Sequence, residues 1–359
     1  MKKEIKEILV IKLRYLGDVV LTTPVFESLR QFYPQASITA LVNKGTETML
    51  VKNPNVDRIF VLERDKNHIA DLKKQLSLIA KLRKLRFDLA LELTNNDRGA
   101  AYSFLSAAKR RLGYRPKRIK ILDRHLLFTD LVKTKKGLHI VDRHLEMIRH
   151  LKSDSIMTAP ALFWSKEEEL MCRKIFEKEG ASFDEQFAVI HPTLHAKYRK
   201  WNIVDCSLLC DYLFNRWKVR PILICGPTAE EMDFTKQVSL KANSPVINLG
   251  GQLTLRQLIA LIANAILYVG IDSGPMHIAA ALKIPVVAIF GPQEPRRWGP
   301  WGEGHMVVQK SWECVPCRKK GCDDKGTTSL CLEKLTVEEV IPAIDLQMRK
   351  IESVNNLEA

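Results

Sequence analysis

The sequence predicts an α/β protein built from two Rossmann-like domains facing a cleft. Three observations carry this. Apolar, β-branched strand-like runs alternate with helical spacing, which is the pattern of parallel sheets covered on both faces. The pattern runs once through the first half and restarts at Phe187. The chain of 359 residues exceeds what one hydrophobic core usually holds and suits two domains.

In order, Ile8 to Leu13 reads as the first strand, and Val25 to Phe32 as a helix that Pro34 ends. Ile38 to Val42 and Ile59 to Leu62 follow as strands. A Lys-rich amphipathic helix spans about Ile69 to Leu85, ahead of a strand at Leu89 to Leu93. A joint near Thr158 to Lys166 separates the halves, giving domains over 1–165 and 166–336. The second half reads as strands at Phe187 to Ile190, Pro221 to Cys225, Val246 to Leu249, Leu267 to Gly270 and Val286 to Phe290. Helices at Ser207 to Arg216, Leu255 to Asn264 and Met276 to Leu282 connect them. A last helix, Val337 to Ile351, closes the fold, and 352–359 reads as a frayed tail.

The composition, 46% hydrophobic and 27% charged, is that of a soluble globular protein. The charged opening Met1 to Glu7 lacks signal-peptide character, and no run of eighteen apolar residues is present. A cytoplasmic protein is expected. The net charge of +15 is confined to one half: residues 1–150 hold 31 Lys and Arg against 16 Asp and Glu, while the remainder balances to zero. The basic stretch Lys109, Arg110, Arg111, Arg115, Lys117, Arg118, Lys120 and Arg124 is dense enough to attract a polyanion or an anionic lipid surface. A merely solvated basic surface is the plain alternative. Nucleic acid fits poorly as the partner, because only Tyr114 interrupts the run as a stacking aromatic.

Ligands of open α/β sheets bind beyond the carboxyl ends of strands, so chemistry is sought there. After the first strand comes Arg14-Tyr15-Leu16-Gly17-Asp18, then Thr22-Thr23-Pro24. A single glycine is not a dinucleotide fingerprint. Asp18 is a carboxylate at the strand mouth, and helix capping by Asp18 or Thr23 is the structural alternative. In the second half, Val269-Gly270-Ile271-Asp272-Ser273-Gly274-Pro275-Met276-His277 runs from strand through a glycine turn into a helix. Its backbone N–H groups and the positive helix end suit a pyrophosphate. Capping by Asp272 and Ser273 and a buried helix histidine at His277 are the alternatives. His191-Pro192-Thr193 with Arg199-Lys200-Trp201, and Gly226 to Glu230, add strand-end cations and a carboxylate able to bind a ribose.

These motifs, in this order, resemble the lipopolysaccharide heptosyltransferases of glycosyltransferase family 9 over essentially the whole chain. Phe290-Gly291-Pro292 and Trp298-Gly299-Pro300-Trp301 also match, and the opening Lys12-Leu13-Arg14 looks closest to the heptosyltransferase III branch. The resemblance implies a GT-B fold, inversion at the anomeric carbon and no catalytic metal. It implies Asp18 as general base and Lys200 as the group stabilising departing ADP. Thr193, Glu230, Leu253, Asp272, Ser273, Gly274 and His277 would hold ADP-heptose. Lys109, Arg110, Arg111, Arg115, Lys117, Arg118 and Lys120 would meet the phosphorylated inner core of lipopolysaccharide, a lipid-anchored acceptor, at the cytoplasmic face of the inner membrane. A same-fold enzyme using another nucleotide sugar, and a non-catalytic polyanion-binding protein, are the rivals.

Eight cysteines remain to be placed. Cys172, Cys206, Cys210 and Cys225 read as buried small hydrophobes. Cys314, Cys317, Cys322 and Cys331 cluster with spacings that admit a structural zinc, free thiols or disulfides. None of these would put the cluster in catalysis.

Overall fold

The computed structural model describes residues 4–116, 124–152, 158–196, 198–323 and 326–358. The chain divides into two compact units, Met1–Phe163 and Trp164–Ala359.

The first unit holds six strands: β1 (Glu7–Lys12), β2 (Ser37–Asn43), β3 (Arg58–Leu62), β4 (Leu89–Glu92), β5 (Arg110–Tyr114) and β6 (Asp130–Val132). All pair in parallel in the order β3-β2-β1-β4-β5-β6. Its helices are α1 (Leu16–Val20), α2 (Thr23–Phe32), α3 (His68–Lys84), α4 (Asp97–Leu105) and α5 (Ile140–Leu151). Strands β1 and β2 are apolar on both faces because helices cover both, so Ile8, Leu9, Ile11, Ile38 and Leu41 are fully buried. Two helices start on side-chain caps: Asn67 accepts from Ile69 and Ala70, and Asn96 from Gly99.

The second unit repeats the plan. Helix α6 (Lys166–Lys178) opens on a capping box formed by Ser165 and Glu168. Then come β7 (Phe187–His191), α7 (Ile203–Trp217), β8 (Arg220–Leu223), α8 (Ala229–Lys241), β9 (Ile247–Asn248), α9 (Leu255–Ala263), β10 (Leu267–Ile271), α10 (Gly274–Ala281) and β11 (Val286–Phe290). The short helix α11 (Pro295–Trp298), strand β12 (Met306–Gln309), short helix α12 (Leu330–Glu333) and long helix α13 (Val337–Glu358) complete it. The sheet order is β12-β11-β10-β7-β8-β9. Counted from its own first strand, this is the same doubly wound arrangement as the first sheet. Each sheet therefore reverses direction beside its first strand, between β1 and β4 and between β7 and β10.

The residues expected to fray at the end are instead helical, since α13 runs on to Glu358. It is part of the second core: Val337, Val340, Ala343, Ile344 and Met348 pack with Leu209, Leu213 and Ile289. Trp201 is buried in the same cluster and donates its indole N–H to the Leu335 carbonyl at 2.7 Å. Among the described residues no helix is long and apolar enough to cross a membrane.

Candidate active site

In the first unit, chemistry gathers where β1 and β4 part. Asp18 lies in the first turn of α1, which has no side-chain cap. It pairs instead with Lys12 at 3.2 Å. Lys12 closes β1 with its side chain only 3% exposed, and its Nζ also reaches the Leu93 carbonyl (3.3 Å) and His144 Nε2 (3.1 Å). A protonated lysine has three hydrogens and no acceptor, so these three partners use all of them. His144 Nε2 must then accept, which leaves Nδ1–H to donate to the Tyr114 hydroxyl at 2.6 Å. Tyr114 in turn donates to the Arg143 carbonyl, and the Arg143 guanidinium stacks over the Tyr114 ring. Burial pulls the Lys12 pKa down, and the Asp18 carboxylate opposes that shift. On the adjoining strand, burial raises Glu92 to about 7, opposed first by the Asn95 N–H that it accepts. Thr23 does not cap α2; its hydroxyl donates to the Val20 carbonyl and accepts from Ala161 N–H.

Three of the expected acceptor residues have partners within the first unit. Lys109 pairs with Asp88 at 2.6 Å, and Arg110 makes a forked bond to Asp130, which holds that carboxyl down at about 2. Arg111 donates to the Leu127 and Ala108 carbonyls and lies over the Phe104 ring. These three cations tie the start of strand β5 to the segments around it. Arg115 is exposed. Lys117, Arg118 and Lys120 lie outside the described residues.

In the second unit the corresponding parting of β7 and β10 is more densely furnished. His191 ends β7, is fully buried, and shares a 3.0 Å hydrogen bond from Nδ1 with the Ser273 hydroxyl. Ser273 holds the capping position of α10, yet its side chain does not cap that helix. Burial alone pushes His191 down to about 4, so it is neutral near pH 7. Gly270 permits this closeness: a Cβ there would stand 2.8 Å from both the His191 carbonyl and the Tyr268 hydroxyl. Asp272 follows β10, 13% exposed, with Arg199 Nη1 at 3.5 Å. Burial raises its carboxyl to about 6 and Arg199 opposes the rise. Gly274 begins α10, and His277 is buried one turn along.

A short antiparallel bridge between Thr193 and Lys200 folds the loop after β7 back on itself. It sets Thr193, His195 and Lys200 in one pocket with Thr228, Glu230, Glu231 and Phe234 from the start of α8. Arg199, next in the same loop, lines a second pocket with Asp272, Gly291, Pro292 and Gln293. The loop thus supplies a cation to each pocket. Lys200 and Glu230 are exposed, whereas Thr193 is buried. Leu253 is half-buried ahead of α9 and lines neither pocket. The sequence did not single out His191 as a site residue, nor Lys12, His144 and Tyr114 as a linked set.

The late cysteines are less ordered in burial: Cys331 is buried, Cys317 half-buried, Cys314 and Cys322 exposed. All eight cysteines are free thiols. Burial, then the neighbouring Cys322, Cys317 and Cys314, raise Cys331 to about 11. Among the described residues no three His, Cys, Asp or Glu side chains are gathered as a metal shell. Cys172, Cys206 and Cys210 are buried as the sequence suggests; Cys225 is half-buried.

The sequence profile described as "Glycosyltransferase family 9 (heptosyltransferase)" matches residues 75–327. The chain belongs to glycosyltransferase family 9. Among its relatives is lipopolysaccharide heptosyltransferase 3 of Escherichia coli K12, 30% identical over 342 residues that cover 93% of this chain and 95% of that one. The fold is shared with a family 9 glycosyltransferase from Veillonella parvula (TM-score 0.79, 22% identity, 98% and 99% covered). It is shared equally with the ADP-heptose lipopolysaccharide heptosyltransferase II of E. coli (TM-score 0.77, 22% identity, 96% and 99% covered). The GT-B architecture expected from the sequence is the one found, and the family 9 chain is a glycosyltransferase.

Proposed function

We propose that this enzyme transfers a heptose from ADP-heptose to the inner core of lipopolysaccharide with inversion at the anomeric carbon. The observation that carries the mechanism is the Lys12–Asp18 pair: a carboxylate at a strand end, held by a buried ammonium that has no other freedom. Held so, Asp18 accepts the proton of the attacking hydroxyl as its oxygen bonds to the anomeric carbon. The bond from that carbon to the diphosphate oxygen breaks, and ADP leaves with the electron pair. Lys200 meets the charge that develops on the diphosphate.

Donor binding falls to the second unit. Backbone N–H groups at the start of α10 suit the pyrophosphate. Glu230 and Asp272 accept hydrogen bonds from ribose or heptose hydroxyls, beside Thr193, Ser273 and His277. Arg199 balances Asp272, which would otherwise repel the phosphates. Relatives named as lipopolysaccharide heptosyltransferases, one of them named for ADP-heptose, support the donor and acceptor classes. The basic first half of the chain suits an acidic, lipid-borne acceptor and peripheral contact with the cytoplasmic face of the inner membrane.

Calorimetric titration with ADP, UDP and GDP, with no metal added, tests the donor. Preferential ADP binding, weakened in Lys200→Ala, is expected. Preference for UDP or GDP would keep the reaction class and discard the heptose donor.

A further inference from the structure

Helix α3 turns an apolar edge to solvent. Ile69, Leu72 and Leu76 recur at i, i+3 and i+7 on one face and are 68%, 58% and 56% exposed, while Leu78 and Leu82 on the other face are buried. Lys73, Lys81, Arg83 and Lys84 are exposed along the same helix. Counting from its sequence, α3 carries five Lys and Arg against the single Asp71.

The face continues past the helix. Tyr102 of α4 donates to Gln75 of α3 at 3.3 Å, so the two helices are neighbours. Helix α4 ends in the exposed Phe104 and Leu105 and packs against the turn Arg124–Leu127, where Leu126 is 60% exposed. Arg111 lies over Phe104. Isolated exposed leucines are ordinary, but an apolar helix edge flanked by cations, with further exposed apolar residues on the neighbouring helix, is not. Two other exposed apolar pairs are set among acids instead. Leu170 and Met171 sit on α6 among Glu167, Glu168 and Glu169, and Val204 and Leu208 sit on α7 with Asp205 and Asp211.

We propose that the face formed by α3, the end of α4 and the turn Arg124–Leu127 docks this enzyme on a bilayer rich in anionic headgroups. Ile69, Leu72 and Leu76 enter the headgroup boundary, and the flanking lysines reach outward to lipid phosphates along their apolar stems. The charge argues for this occupant over a second copy of the chain, because two α3 helices face to face would oppose like charges. It argues over nucleic acid too, since a phosphate backbone would leave the apolar line in water. The inference rests on a lipid-borne acceptor only for its purpose.

The test therefore contains neither donor nor acceptor. Sedimentation of the full-length protein is measured with vesicles of phosphatidylcholine alone and with about 30% phosphatidylglycerol added. Binding to the anionic vesicles is expected, falling with salt. The variant Ile69→Ser/Leu72→Ser/Leu76→Ser should bind at least about 10-fold more weakly, with its thermal melt and ADP titration unchanged. Lys73→Gln/Lys81→Gln/Lys84→Gln should lose most of the preference for the anionic lipid. Triple-serine protein that binds as well as wild type would overturn the proposal, as would wild type that ignores anionic vesicles. A wild-type dimer that the serine variant converts to monomer would give the face to a second copy instead. Because transfer is not measured, failure here leaves the heptosyltransfer reading standing.

Discussion

Asp272→Asn offers a prediction whose size can be worked from the structure. In the unfolded chain this carboxyl titrates near its ordinary 3.8, and in the fold near 6. The folded state therefore holds the proton more tightly. Stability falls as pH rises from about 4 through 6, and the full penalty is present above that range. A shift of about 2 units corresponds to about 3 kcal/mol at pH 8, and about half of that is already present at pH 5. Asparagine keeps the shape and cannot ionise. Relative to wild type, Asp272→Asn should gain about 1.4 kcal/mol between pH 5 and pH 8. His191, neutral in the fold down to about 4, titrates alike in both proteins and cancels from the difference. Urea unfolding of both proteins at the two pH values reads this directly. The same substitution should weaken binding of the nucleotide sugar, because Arg199 loses its counter-charge and the sugar loses an ionic acceptor. A variant destabilised equally at both pH values would refute the reasoning, since Asp272 would then be an ordinary ionised carboxylate valued for its pairing with Arg199.

Three further outcomes follow from named contacts. Lys12→Met should collapse turnover by at least about 100-fold, because Asp18 loses the group that orients it. It should melt no lower than wild type at neutral pH: the folded Lys12 pKa lies below 10.5, so its burial penalty is present below that folded value and gone above 10.5. His144→Phe removes the acceptor of one Lys12 hydrogen, and kcat should fall about 10-fold with the donor KM unchanged. A parallel rise in donor KM would show that His144 supports the whole unit rather than the base. Gly270→Ala pushes a methyl against the His191 carbonyl and Tyr268 hydroxyl, and urea unfolding should report a loss of about 1–3 kcal/mol.

The strands were the most legible part of the sequence, for a physical reason. Parallel strands buried on both faces are solid apolar runs, and β1, β2, β7, β10 and β11 read as such. Strand β5 did not, because it begins Arg110-Arg111, whose charges are answered by Asp130 and by carbonyls that sequence order does not reveal. Helix α1 is a single short turn, whereas α5 went unread although Ile140, Val141, Leu145 and Ile148 recur there at helical spacing. Strand-end loops at Asp18, Thr193 and Asp272 were legible because glycine, proline and polar residues follow apolar runs there. What makes Asp18 distinctive was not. Lys12 and His144 meet across 132 residues of chain, and only the sheet and α5 bring them together.

The role proposed for Asp18 is to act in the transition state and not in donor binding. Turnover of ADP-heptose with a heptose-bearing lipid A core acceptor should be compared for wild type and Asp18→Asn, with ADP affinity measured on the same samples. Turnover reduced by at least about 100-fold with ADP affinity unchanged is the predicted result. Undiminished turnover would contradict the account outright, and an equal loss of ADP affinity would move Asp18 from the base to the donor site.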